Sequence, residues 1–201
     1  MAITRLNYGS SFTNLVKSDS FLDGNSAYVP SSFESIATVT ASGSETSLTF
    51  SSIPNTYKAL QIRGLFRQTA NTGTSQLWLQ YNGNTSGYAR HMLYGEGSGA
   101  FANSATAQSA ILIANLTADA TSNSNIFSTT IIDIQDYAST SKNKTVRGFF
   151  GTDVNGATSA SVGLSSGFVA DTNALTSITL FQYSSNAFSA GSKFALYGIK
   201  G

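Results

Sequence analysis

The chain reads as an all-β domain preceded by an N-terminal arm, and three observations predict this. Short runs rich in Thr, Val, Ile, Tyr and Phe recur from Ser31 onward, at roughly the 8–12-residue spacing of sandwiches and barrels. Gly, Asn, Ser and Asp fill the gaps between the runs. No succession of strands and helical patterns is present, so nothing suggests a parallel β/α sheet.

Residues 1–30 stand apart. Asn7, Gly9, Ser10, Ser11, Asn14 and Ser18 break every apolar run before it reaches strand length. Yet Tyr8, Phe12, Phe21 and Tyr28 supply more aromatic surface than a solvated tail carries. The segment reads as an extended arm that orders by lying on a partner or on its own domain, with those four residues as its candidate partner contacts. Pro30 closes it, and the sandwich domain is expected over 31–201.

In the domain, Phe33–Thr40 and Thr46–Ser52 flank Ala41–Glu45, which reads as a hairpin loop. The strongest run follows, from Ile53 to Arg67. Its Tyr57, Ala59 and Gln61 alternate with Lys58, Leu60 and Ile62. Neither set is purely polar, which predicts an interior strand covered on both faces. Pro54 fits only ahead of that strand, because inside it a ladder hydrogen bond would be lost. Arg63 and Arg67 are expected to hold their guanidinium heads in solvent.

Gln76–Tyr81 and Tyr88–Tyr94 surround Asn82-Gly83-Asn84, a tight turn because Asn and Gly tolerate positive φ. Gly95–Gly99 reads as a loop, and 105–116 is the one window compatible with a helix. Later runs are Ala110–Leu116, Ile126–Ile134, Lys144–Phe150, Ser161–Val169, Leu175–Tyr183 and Lys193–Ile199. Ile131-Ile132-Asp133-Ile134 and Phe149-Phe150 show little alternation, which predicts burial. The total is about ten or eleven strands.

At 201 residues one domain suffices. Charged residues are 10% of the chain, against about 25% in an average soluble domain. Eleven Lys and Arg face ten Asp and Glu, so no basic field exists to draw nucleic acid or an anionic membrane. A neutral, hydroxyl-rich surface suits packing against neighbours, since few charges need desolvating at a contact. There is no cysteine, which excludes a disulfide framework, a cysteine zinc site and a thiol nucleophile. No stretch approaches the roughly 18 apolar residues of a membrane span. The N-terminus lacks the apolar centre of a secretory signal, and synthesis in a cytoplasm is expected.

Motifs that suggest chemistry do not find their context. Gly163-Leu164-Ser165-Ser166-Gly167 fits G-x-S-x-G, but that elbow needs a strand-to-helix turn and a histidine downstream. His91 lies upstream. Gly95–Ala100 fits a dinucleotide fingerprint without the surrounding βαβ unit. Ser139-Thr140-Ser141-Lys142 lacks the companion elements of its family. Asp133 and Asp136, three apart in a strand, point to opposite faces and so do not form an acid pair. No catalytic, cofactor or metal site is expected, and the reading is a non-enzymatic protein.

Phe33–Val39, Ser51–Gly64, Asp136–Thr145, Ile178–Leu180 and Phe194–Ile199 together resemble small structural proteins of tailed bacteriophages, cyanophages among them. The resemblance spans roughly residues 33–199 and implies a jelly-roll-like antiparallel β-sandwich on the virion. It implies other virion proteins as partners, the major capsid protein or tail proteins, and an oligomer, threefold by the habit of such architectures. The first function it implies is a capsid decoration or cement protein, tied to the shell by sandwich and arm. A tail-fibre, tail or baseplate component is the alternative. A third reading, a host-glycan-binding module, would stack sugars on Trp78, Tyr81, Tyr88 and Tyr94, residues that equally suit a core.

Overall fold

Along the chain the strands begin with β1 (Phe21–Asp23), β2 (Ser26–Tyr28), β3 (Phe33–Thr40), β4 (Ser47–Phe50) and β5 (Ala59–Phe66). Next come β6 (Gln76–Tyr81), β7 (Tyr88–Glu96), β8 (Gly99–Gln108), β9 (Ile111–Asn115) and β10 (Ser128–Gln135). The last are β11 (Lys144–Thr152), β12 (Ser161–Val169), β13 (Ile178–Gln182) and β14 (Lys193–Ile199). The computed structural model describes residues 21–23, 26–28, 32–70, 75–119, 125–154 and 160–200.

Strands β3-β14-β5-β10-β11-β12-β7-β8 form an eight-stranded sheet and β4-β13-β6-β9 a four-stranded one. Every pairing is antiparallel. The two sheets share one apolar core, and the fold is an all-β sandwich. Leu60, Ile62, Phe66, Ile132, Ile134, Phe150, Phe194 and Leu196 fill it from the large sheet. Leu48, Phe50, Leu77, Leu79, Tyr81, Ile178 and Leu180 meet them from the small one. Period-two burial produces this, and β12 alternates buried and exposed at all nine positions.

Four expectations need correction. The first concerns Ala41–Glu45, which is no hairpin loop, because β3 and β4 belong to different sheets. The segment is a corner. Ala41 is buried there and exchanges backbone bonds with the turn before β14, Ala41 N to Ser192 O and Gly191 N to Ala41 O. The Glu45 carboxylate caps the corner, accepting the Ser42 hydroxyl at 2.7 Å and the N–H groups of Ser42, Gly43 and Ser44.

The Ser42 hydroxyl, followed by backbone N–H donors, holds the Glu45 carboxyl down at about 2, against an ordinary 4.5. A depressed carboxylate stabilises the fold above its unfolded pKa, and that contribution fades as pH falls toward the folded value. The stability gap between the parent chain and Glu45→Gln is therefore expected to be widest above pH 4.5 and to close as pH approaches 2. Urea midpoints measured across that range check it. A gap independent of pH would assign the corner to the backbone alone.

The second correction is the 105–116 window. It contains the end of β8, a turn and β9, with no helix. Alternation is absent for two opposite reasons. β8 is exposed on most of both faces, whereas β9 is buried at all five positions. Recognising β8 also raises the strand number above the expected ten or eleven.

The third correction concerns β5. It is interior to the sheet, between β14 and β10, and Tyr137 holds Pro54 ahead of it. The buried Tyr137 hydroxyl donates to Pro54 O and accepts from Tyr57 N. However, β5 is covered on one side only, and its outer residues Gln61, Arg63 and Leu65 face away from the core. Of the two arginines, Arg67 is buried and donates from Nη1 to Ile126 O at 3.3 Å.

The fourth correction concerns the two apolar doublets. In each, one residue is in the core and the other outside. Ile132 and Phe150 are buried, while Ile131 is 42% exposed and Phe149 52%. In the arm, β1 and β2 pair antiparallel with Phe21 opposite Tyr28. Tyr8 and Phe12 lie outside the described residues.

Candidate docking face on the large sheet

Residues opposite one another in an antiparallel ladder share a face. Ala195 on β14 stands opposite Arg63, Arg63 opposite Ile131, and Ile131 opposite Phe149. The row continues from Phe149 to Leu164, from Leu164 to Leu93, and ends at Ala102 on β8. It points away from the small sheet. Leu164 is 50% exposed and Leu93 55%, like their neighbours Ile131 and Phe149. Val162 and Leu65, on the next row up, are exposed as well.

The row below is polar. It passes through Tyr197, Gln61, Asp133, Arg147, Ser166, His91 and Ser104. Asp133 accepts from Gln61 Nε2 at 2.8 Å and pairs with Arg147 at 3.0 Å. Arg63 Nε donates to Gln61 Oε1, and its guanidinium lies over the rings of Phe33 and Tyr197 at 5.6 and 5.4 Å. These bonds tie the long polar side chains to one another along the lower edge of the apolar row. Two shallow clefts of about 640 and 320 Å³ meet at Leu93 and Leu164. Covering a half-exposed Leu or Phe contributes about 1 kcal/mol, so four in line make a contact surface of real strength.

Chemistry fits this face poorly. Ser165 of the G-x-S-x-G stretch is buried in mid-strand, opposite Met92 and Gly148. His91 lies on the outer face across from Ser166, and no hydrogen bond joins the two. Asp133 is paired with Arg147, and Asp136, at φ 51° just past β10, is paired with Lys142 at 3.1 Å. Gly95–Gly99 links β7 to β8 as a hairpin. Among the described residues, no three His, Cys, Asp or Glu converge as metal ligands.

The four aromatics of the glycan reading are dispersed. Tyr81 and Tyr88 belong to the core, and the Tyr88 hydroxyl accepts from Tyr81 N at 2.9 Å. Trp78 is half-buried beneath the Arg90 guanidinium, 5.6 Å from its ring centre. Tyr94 stacks on Phe101 at 5.4 Å. They form no common stacking plane. Sequence reading also passed over the outer row itself. Its signal was present in the doublets, since at period two a pair of adjacent apolar residues must send one outward.

No protein family matches the chain, and no curated protein or solved structure shows significant similarity to it.

Proposed function

We propose that the chain is a non-enzymatic structural protein of a tailed-phage particle, a decoration protein that lies on the shell through the outer face of its large sheet. The observation that carries this reading is the continuous row of half-exposed Ile131, Phe149, Leu164 and Leu93. A contiguous apolar patch rimmed by polar groups marks a protein contact. With 10% charged residues in the whole chain, such a contact needs little charge desolvation. The arm residues Tyr8, Phe12, Phe21 and Tyr28 provide a second attachment, which follows the sequence reading.

The test is quantitative mass spectrometry on purified particles, with heads and tails separated. Copy numbers comparable to the major shell protein are expected in the head fraction. In Phe149→Asp/Leu164→Asp particles the protein should fall by about thirtyfold, the effect of losing roughly 2 kcal/mol at a contact centre. Both side chains are solvent-facing, so thermal unfolding should change little. A few copies confined to the tail fraction would move the protein to a tail or baseplate role. Absence from particles would overturn the reading.

A further inference from the structure

The two sheets end in four edges, β3 and β8 on the large sheet and β4 and β9 on the small one. An open edge presents unpaired N–H and C=O groups to any passing strand, and folded proteins blunt theirs. Three edges here are blunted. β9 is buried at every position, and β4 is four residues long. β3 breaks register opposite Leu196 and Tyr197, and its Glu34 is ion-paired with Lys200 at 2.7 Å.

β8 is different. It runs for ten residues, eight of them exposed, with no Lys, Arg, Asp, Glu or Pro. Its irregularity against β7 falls near Tyr88–Arg90, so Gly99–Ala105 runs in unbroken register. Beyond β7 it has no strand neighbour among the described residues.

We propose that β8 is a self-association edge, at which two copies of the chain pair β8 antiparallel about a twofold axis at Ala102. The unbroken stretch Gly99–Ala105 is centred on that residue. Pairing there sets Ala100 against Ser104 and Ala102 against its own copy, with no like charges opposed. The side chains on the outer face, Ala100, Ala102 and Ser104, are small, so the second sheet meets no obstruction. The apolar row that ends at Ala102 then runs on into the second copy, and two eight-stranded sheets become one. Main-chain bonds supply the affinity, as in other strand additions. The inference concerns the strand's edge and does not rest on the docking role of the face.

The chain has no cysteine, so a single introduced one carries a unique spin label on the full-length protein. Pulsed distance measurements on Ala100→Cys, Ala102→Cys and Ser104→Cys are expected to give the shortest separation at 102. The 100 and 104 positions should each be offset by about 14 Å along the strand, because displacement from the axis counts twice. Sedimentation of the unlabelled chain over a concentration series should show a rise to twice the monomer mass. Ala102→Lys, which sets two ammonium groups face to face, should weaken that association about tenfold or more. A monomer at every concentration would overturn the proposal. So would a dimer indifferent to Ala102→Lys but lost in Phe149→Asp/Leu164→Asp, since the association would then belong to the face.

Discussion

Gly64→Ala is expected to lower the unfolding free energy by about 3 kcal/mol, the upper end for one added methyl in a packed core. Gly64 lies inside β5, and a Cβ there would sit 2.4 Å from Cδ1 and Cε1 of Phe194. Thr130 Cγ2 closes the other side at 3.1 Å. Phe194 is fully buried, stacked on Phe66 at 5.5 Å and edge-on to Phe188 at 5.7 Å. The ring therefore has nowhere to swing, and the sheet itself must yield. Phe194→Ala alone should cost about 3–5 kcal/mol through the cavity it leaves. In that background Gly64→Ala should be nearly neutral, because its methyl now enters free space. The resulting coupling of about 2 kcal/mol or more is read from a urea double-mutant cycle. Equal costs in both backgrounds would show that the close approach to Phe194 is not the cause.

Lys144→Met is expected to cost about 3 kcal/mol while keeping the aliphatic stem. Lys144 opens β11 and is 1% exposed, an unusual place for an ammonium group in a chain so short of charge. Its Nζ donates to the carbonyls of Ser139, Lys142 and Thr172 at 2.6, 2.8 and 3.2 Å. Three protons meet three acceptors, so the head is fully satisfied. The group ties the loop between β10 and β11 to the segment after β12. Methionine would leave those carbonyls without their donor, and Lys144→Arg should not rescue, since a planar fork cannot reproduce a compact three-way donor. Urea denaturation gives the loss, and hydrogen exchange should localise it to the two tied segments. A methionine variant as stable as its parent would show that water replaces the amine at no cost.

The alternating strands were legible because one face of each is in the core and the other is not. Phe33–Thr40, Gln76–Tyr81 and Ser161–Val169 appear in the structure with the bounds their pattern suggested. β8 was hidden for the same reason in reverse. A strand wet on both faces carries no hydrophobic period, so Gly99–Gln108 read as a loop running into a weak helix. Which sheet a strand joins was also illegible. Ala41–Glu45 and Asn82–Asn84 carry the same kind of turn residues as hairpins, yet both pass the chain from one sheet to the other. Local turn chemistry sets a reversal of direction, whereas the partner is chosen by distant residues such as Ser192 and Ser177, which bond to these corners. The docking face fell between these cases. Its members could be read singly from the doublets, but their alignment into one row follows from registers that join segments far apart in the chain.

The position of β14 bears on how the molecule comes into being. This strand is made after all the other described strands, yet it lies between β3 and β5, which are among the first. During synthesis β3 and β5 must wait, unjoined, while more than a hundred residues follow. At translation rates of 5–20 residues per second that is roughly six to twenty-five seconds. The large sheet therefore closes like a drawer whose middle board arrives late. Closure of so long a loop favours slow, cooperative completion over stepwise growth. Until Phe194 and Leu196 arrive, the facing edges of β3 and β5 have no strand between them, and the nascent chain stays exposed to wrong partners for that interval.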